Sequence, residues 1–285
     1  VRAMITGARN DSERRALSIG TDSAGGYTVP TPLAREFIDR LRARSVVNRA
    51  GARTVPMDSS TLAIARIDGD PTVAWRAEAG AVAVSDPTFG RVLLEAKSLA
   101  CIVKLSRELL ADTVNAGAAI ERALIGAAAV ELDRAAVFGD GSSNSPTGIT
   151  ETSGINAVSM ATNGAALSNY NKLIDAIYEL QLDNVDMITA GVMHPRTGAA
   201  LAKLVDGNGN PLVVPKLVAD IPLLATTGAP ITETQGTATN ASSIVYGDFR
   251  DLLIGMREDV NIRVLSELYA GTGQVGILLH LRADV

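Results

Sequence analysis

Apolar positions along the chain follow two periods, one helical and one alternating. Leu33, Phe37, Ile38 and Leu41 recur at helical spacing behind Thr31, a capping residue, and Pro32, which suits a first helical position, so a helix is expected over 32–44. Arg35, Arg40, Arg42 and Arg44 crowd its other side. Ser106 opens a short helix through Ala111, and a longer one is expected from about Asn115 to Val137. Ile120, Ala123, Leu124, Ala127, Val130 and Ala135 mark one face of the long helix, with Glu121, Arg122, Glu131 and Arg134 on the other. At ~1.5 Å per residue it runs roughly 30–35 Å, and Phe138-Gly139-Asp140-Gly141 supplies the stop. Tyr170 to Leu182, with Leu173, Ile174, Ile177 and Leu180, reads as an amphipathic helix, and His194-Pro195-Arg196 opens another to about Val205.

The alternating segments are strands. Val46-Val47, Thr54-Val55, Leu62 to Ile67 and Thr72 to Trp75 come first, with Asp68-Gly69-Asp70-Pro71 as a turn. Glu78 to Pro87 is small and non-periodic, and Phe89 to Leu94 and Leu99 to Leu105 are strand-like again. A stretch of ~40 residues with strands at both ends and a Gly/Ala-rich return reads as a projecting hairpin, or else as a compact antiparallel sheet with a long loop. The return has too few large apolar residues to make a core of its own, so it must lie on something else. Residues 147–240 alternate helix and strand (Met187 to Met193, Ile221 to Ala225, Ile231-Thr232) as a compact α/β section. Ser243 to Tyr246, Leu252 to Met256, Val260 to Leu265 and Val275 to Leu281 favour β, and are expected to join the 89–105 strands against the long helix. Residues 1–30 lack apolar periodicity, and Asp22 to Pro30 reads as an extended arm with a turn.

Composition narrows the function classes. With 285 residues, 47% hydrophobic and 20% charged, the chain buries a sizeable core. One cysteine, Cys101, allows no internal disulfide or Cys-pair metal site, and two histidines, His194 and His280, leave few His-based designs. No apolar run approaches the ~18–20 residues of a bilayer span. Val1-Arg2-Ala3-Met4 does not open a signal peptide, and a start without Met suggests processing or truncation. Ala283-Asp284-Val285 carries no cap or turn signal, so further residues are expected there too. The net charge of −5 argues against a dedicated nucleic-acid binder, but it is unevenly spread. Residues 1–53 hold ten Arg and five acids, a balance of +5, and the other 232 hold sixteen bases and twenty-six acids, a balance of −10. Only five of the 26 bases are Lys. Arg suits inter-subunit ion pairs, so the basic section either pairs with acidic neighbours or is a solvated helix face.

Motifs for chemistry fail on context. Gly271-Thr272-Gly273-Gln274-Val275-Gly276 has dinucleotide-loop spacing, but a strand follows it instead of a helix, so it reads as a hairpin turn. Asp206, Asn208 and Asn210 match the start of a calcium loop, yet Pro211 and Leu217 stand where Gly and an acid are required. His194 and His280 lack a nucleophile motif nearby, and Cys101 sits in an apolar strand as an inert thiol. Nothing assembles an acid, a base and an oxyanion site, so no catalytic residue, cofactor or metal is assigned and the chain reads as non-enzymatic.

Four stretches carry a resemblance. Gly25-Gly26-Tyr27-Thr28-Val29-Pro30, then Trp75-Arg76-Ala77-Glu78-Ala79-Gly80 with Ser85-Asp86-Pro87-Thr88-Phe89, are the first two. Phe138-Gly139-Asp140-Gly141 with Pro146-Thr147-Gly148-Ile149, and Met193-His194-Pro195-Arg196 with Lys203-Leu204 and Asp206-Gly207-Asn208-Gly209, are the others. In this order they resemble the major capsid proteins of tailed bacteriophages with the Hong Kong 97 fold, over about residues 16–285.

The resemblance implies an α+β fold in named parts. These are an N-terminal arm (1–30), an N-terminal helix and linker (31–53) and an extended β-hairpin loop (54–92). A peripheral domain with a long spine helix on a β-sheet (93–146 and 241–285) and an α/β axial domain (147–240) complete it. It implies pentamers and hexamers of identical copies in an icosahedral shell around double-stranded DNA, in a phage or a prophage-derived particle. Portal and cement or decoration proteins are implied partners, no membrane is, and assembly is expected in the bacterial cytoplasm. Inter-subunit contact candidates are Arg35, Arg42, Arg44, Asp68, Asp70, Trp75, Arg76, Glu78, Asp86, Phe89, Asp206 and Asn208. Some members cross-link an extended-loop Lys to an Asn of another subunit. This chain has no Lys between 54 and 92, so no such bond is expected there. An encapsulin-type compartment shell shares the fold as an alternative, and a monomeric α/β hydrolase is the alternative of a different class.

Overall fold

A computed structural model of the chain describes residues 40, 41, 44–69, 71, 73, 75, 76, 86–108, 116–142, 144–265 and 267–285. In chain order the elements are α1 (Val46–Ala50), β1 (Arg53–Pro56), β2 (Thr61–Gly69), β3 (Thr88–Glu95), β4 (Lys97–Ser106) and α2 (Ala116–Phe138). Then follow α3 (Asn171–Leu182), β5 (Ala190–Met193), α4 (Pro195–Ala202), α5 (Lys216–Ala219), β6 (Leu223–Ala225), β7 (Glu233–Gln235), β8 (Ala238–Ala241), β9 (Ile244–Gly247), β10 (Leu253–Leu265) and β11 (Gln274–Asp284). Of the helix expected over 32–44 only Arg40, Leu41 and Arg44 are described, and all three are helical.

The main body is a four-stranded sheet in the order β1-β10-β11-β4. β11 pairs antiparallel with β4 along an unbroken ladder from Gln274↔Ser106 to Ala283↔Lys97, and with β10 on its other side. Alternation drives this sheet. Val275, Ile277, Leu279, Leu281 and Ala283 are buried on one face, with Ile254, Met256 and Ile262 of β10 beside them. That face packs on Leu124, Ile125, Ala128, Ala129, Leu132 and Ala136 of α2, with Leu41 and Val47 in the same cluster.

The long helix forms as expected, but its buried face is rotated from the one its pattern suggests. Ala123, Ala127 and Val130 are exposed, while Leu124, Ile125, Ala128, Ala129 and Leu132 are buried. Alanine at so many positions leaves apolar residues all round the helix, and the largest side chains choose the face. An acid, Asp133, lies within that buried face.

Strand partners also differ from expectation at three places. Residues 54–56, taken with the hairpin, pair parallel with β10 instead, Thr54↔Ile254 to Pro56↔Met256. β3 pairs with β2 in a separate two-stranded sheet, and only β4 joins the terminal strands. β9, grouped with the terminal strands, pairs antiparallel with β5, whose other neighbour is the parallel β6. β5 is buried on both faces, Val192 in the main core under α2 and Met193 in the separate core of the α/β section, which suits a strand paired on both sides. The strand expected over 187–193 is confined to 190–193, since Met187 is exposed. The strand expected at Ile231-Thr232 falls at Glu233–Gln235, and the helix opened by Pro195 ends at Ala202.

The α/β section has its own core of Tyr170, Leu173, Ile177, Met193, Leu201, Leu204 and Val218. Gly191 pairs with Tyr246, and a Cβ there would stand 2.7 Å from the Tyr246 ring, so only glycine lets that ring lie flat on β5.

Candidate interaction surface

β2 and β3 pair antiparallel from Thr61↔Glu95 to Gly69↔Thr88 and have two unequal faces. Leu62, Ile64, Val92 and Leu94 turn to one side, where Met57, Leu94 and Ala96 form a small buried cluster. Ala63, Ala65, Ile67, Phe89, Arg91 and Leu93 turn to the other, and all are exposed. Ile67 lies directly opposite Phe89, at 60% and 72% exposure. Farther along the chain, Val73 and Trp75 are 95% and 104% exposed. Apolar side chains of this size are seldom this exposed.

The root of the hairpin is fastened to the sheet. Met57 N donates to Met256 O at 3.0 Å, Ala96 N to Ser60 O at 2.8 Å, and Glu95 N to the Asp284 carboxylate at 2.5 Å. Arg282 donates to Ala96 O at 2.9 Å. Gly255 makes room for the root: a Cβ there would stand 2.7 Å from Met57 Sδ and 3.1 Å from Leu94. The described part of the hairpin is thus held at its root, while Ile67 and Phe89 farther out are exposed.

Two joints tie separate segments of the body together. The first is the buried Asp133 carboxylate, which accepts from Ser45 Oγ at 2.6 Å, Val46 N at 2.9 Å and Val47 N at 3.0 Å. Burial pushes this acid up from its ordinary value, and the three hydrogen bonds and Arg49 pull it back only in part. The signal in the sequence is a charged residue at the fourth position from Ala129 and the third before Ala136, inside the true apolar face. The second joint lies between Gly139 and Gly148. Gly148 N donates to Gly139 O at 2.8 Å, and a Cβ on Gly148 would stand 2.4 Å from Gly139 N. Phe138-Gly139-Asp140-Gly141 and Pro146-Thr147-Gly148-Ile149, quoted above as separate halves of one motif, are thereby one packed turn, closed by the Asp140↔Thr147 bridge.

The contact candidates divide by place. Trp75, Arg76, Asp86 and Phe89 are exposed on the hairpin side. Arg44 is exposed but lies against α2, its Cζ 3.4 Å from where a Cβ of Gly126 would be. Asp206 and Asn208 are exposed in a tight turn of the α/β section. Asp206 accepts from Asn208 N at 2.8 Å and Asn210 N at 2.9 Å, and these bonds hold its carboxyl below the ordinary range. Only the backbone of Asp68 is described, and Arg35, Arg42, Asp70 and Glu78 lie outside the described residues.

The groups tested for chemistry have structural roles. His194 caps α4, its Nδ1 accepting from Arg196 N at 2.9 Å, and His280 shares a 2.7 Å hydrogen bond with Ser98 Oγ. Cys101 is half-buried on the core side of β4. The glycine-rich stretch at 271–276 runs from the connection after β10 into the first residues of β11, where Gly276 pairs with Leu265 and Lys104. Among the described residues no group of three or more His, Cys, Asp or Glu is placed to hold a metal ion, and no helix is long and apolar enough to cross a membrane.

Comparison with known proteins adds the family. The profile of the phage capsid family matches residues 25–285. The major capsid protein of Klebsiella oxytoca phage phiKO2 is 29% identical over 264 residues, covering 90% of this chain. The chain spans 60% of that relative's length. Among solved structures, "Capsid of empty GTA particle computed with C5 symmetry" aligns with a TM-score of 0.64 at 22% identity, over 84% of this chain and 85% of that one. A chain from Mycobacterium phage Bobi aligns with a TM-score of 0.62 at 19% identity, over 84% and 82%. The fold is the Hong Kong 97 type expected above. These comparisons lend no support to the compartment-shell or hydrolase alternatives.

Proposed function

The chain belongs to the phage capsid family, and from that premise we propose that it is the repeating subunit of an icosahedral shell around double-stranded DNA. Copies join as pentamers and hexamers in the host cytoplasm and persist in the particle, with a portal and a decoration protein as further partners. The observation that carries this reading is the bare outer half of the hairpin, where Ile67, Val73, Trp75 and Phe89 have no cover among the described residues. A lone subunit gains nothing by exposing them, whereas a ring of copies hides them, and many such weak contacts sum to a closed shell.

The parts take the roles the resemblance implies. The hairpin, rooted at Thr61 and Glu95, is the extended loop that lies on a neighbour. α2 and the four-stranded sheet are the peripheral part, and residues 147–240, extended here to include β9 because it pairs with β5, are the axial part at capsomer centres. Arg44, Trp75, Arg76, Asp86, Phe89, Asp206 and Asn208 are contact residues in this reading. The test is removal of residues 68–87, followed by electron microscopy of negatively stained particles. The shortened chain folds and stays soluble but builds no closed shells. Normal particles from the deletion would overturn the reading.

A further inference from the structure

The sheet has a second open surface on the side away from α2. Outward positions of β10, β11 and β4 line up there in three rows: Arg257–Arg282–Ser98, Asn261–His280–Ala100 and Arg263–Leu278–Ile102. The hairpin root walls one end, where Met57 and Leu94 close over Gly255. Tyr269 walls the other, its ring over Gly276 and the Lys104 ammonium 4.7 Å from its centroid. The floor between them is about 14 Å along the strands and about 10 Å across three of them.

Its chemistry is one-sided. Arg257 stands directly opposite Arg282, a like-charged cross-strand pair that costs stability unless an anion sits between or above the two. Arg282 donates to Ala96 O, and Arg263 Nε to Asn261 Oδ1 at 3.4 Å. Among the described residues none of the three arginines is in an ion pair. The one described acid of the face, Asp284, is buried under the hairpin root. In the middle of the floor Ile102 is 49% exposed beside the half-buried Leu278. A chain that is net acidic beyond residue 53 has gathered three guanidinium groups, none in an ion pair among the described residues, around an apolar centre.

We propose that this trough binds an acidic peptide segment of a partner protein, one with an apolar side chain between its carboxylates. Arg257 and Arg263 take the carboxylates as planar two-pronged donors, and Ile102 and Leu278 take the apolar side chain. Charge alone would also suit nucleic acid. A duplex, however, offers a flat surface only its hydrated phosphates, and would leave Ile102 and Leu278 without a partner. The inference does not depend on shell building, because it concerns a face of the single subunit.

The experiment is fluorescence polarisation on the soluble full chain, with a labelled peptide of four Glu-Leu repeats as probe. A Lys-Leu repeat, a 20-base-pair duplex and the variant Arg257→Gln/Arg263→Gln serve as comparisons. The Glu-Leu peptide binds and the Lys-Leu peptide does not. The double variant binds the Glu-Leu peptide about tenfold or more weakly while its thermal midpoint holds or rises, since the Arg257–Arg282 repulsion is gone, and Arg257→Lys/Arg263→Lys recovers part of the loss. Equal binding by wild type and double variant, or no binding by wild type, overturns the proposal. Preferential, arginine-dependent binding of the duplex assigns the face to nucleic acid and overturns it too. So does arginine-dependent self-association in the absence of peptide, seen by sedimentation, which assigns the face to a second copy.

Discussion

The Ser45 hydroxyl donates to the buried Asp133 carboxylate across 88 residues of sequence, at 2.6 Å. The same carboxylate receives the first two backbone N–H groups of α1, so an acid from the middle of α2 caps another helix. Ser45→Ala removes one of three donors and is expected to cost about 1–2 kcal/mol. Asp133→Ala strands the hydroxyl and both N–H groups and is expected to cost about 3 kcal/mol or more. Urea unfolding of the two variants checks the order, and an equal loss would show that Ser45 alone sets the joint.

The same acid gives a pH dependence of definite sign. Its folded value lies above the ordinary 3.8, so the folded state holds the extra proton. Asp133 therefore contributes stability that is fully present below 3.8 and lost as pH rises through its folded value. Asp248 runs the other way. Hydrogen bonds from Arg250 lower it, so its contribution is present above the ordinary value and lost as pH falls through its folded one. The stability of wild type relative to Asp133→Asn should therefore be larger at pH 3.5 than at pH 7. Urea midpoints measured across that range test the sign.

Gly139 and Gly148 tolerate no side chain. A Cβ on Gly139 would stand 2.3 Å from Pro146 O, and backbone cannot swing aside as a side chain can. Gly139→Ala and Gly148→Ala are expected to abolish soluble expression. Gly207→Ala and Gly247→Ala meet nothing within 4 Å and are expected to leave the melting temperature within a degree or two. Parallel expression of the four variants separates close packing from general intolerance of glycine replacement.

Tyr246 offers a change in the opposite direction. Its hydroxyl is buried without a hydrogen-bond partner, and that burial pushes the phenol up to about 12. Tyr246→Phe removes an unsatisfied group and keeps the ring on Gly191. Stability should hold or rise by up to about 1 kcal/mol. A clear loss in thermal unfolding would point to an ordered water on that hydroxyl.

On the hairpin, Ile67→Ser with Phe89→Ser should leave the subunit's urea midpoint unchanged, because both side chains already face solvent. Assembly, followed by light scattering, should fall steeply if those side chains are covered by a neighbour. A drop in subunit stability with assembly intact would place them in the chain's own core.

Much of the architecture was legible because its periods are strong. β11 places an apolar residue at every second position from Val275 to Ala283, with Leu278 alone out of phase, and the run from Leu173 to Leu180 repeats at helical spacing, so both elements fall close to their expected limits. Partners were harder to read. Nothing local in Ile244–Gly247 says whether it pairs with β5 or with β10, since strand pairing is decided by burial far along the chain. The rotated face of α2 shows the same limit. Where alanine dilutes contrast, Asp133 looks like a solvent residue until its donors from 45–47 are seen. The pairing of Leu62–Ile67 with Phe89–Leu94 was readable from two alternating runs on either side of a Gly/Ala-rich stretch. The cationic trough was not, because Arg257, Arg263 and Ile102 meet only through cross-strand register.

One linkage has a mechanical consequence. Ala96 alone separates β3 from β4. Tension on the protruding element therefore passes straight into β4 and along its length. Ten consecutive residue pairs join β4 to β11, and their hydrogen bonds lie across the direction of pull, so they share the load instead of unzipping in turn. The arm that reaches outward is tethered by the part of the molecule best suited to withstand shear.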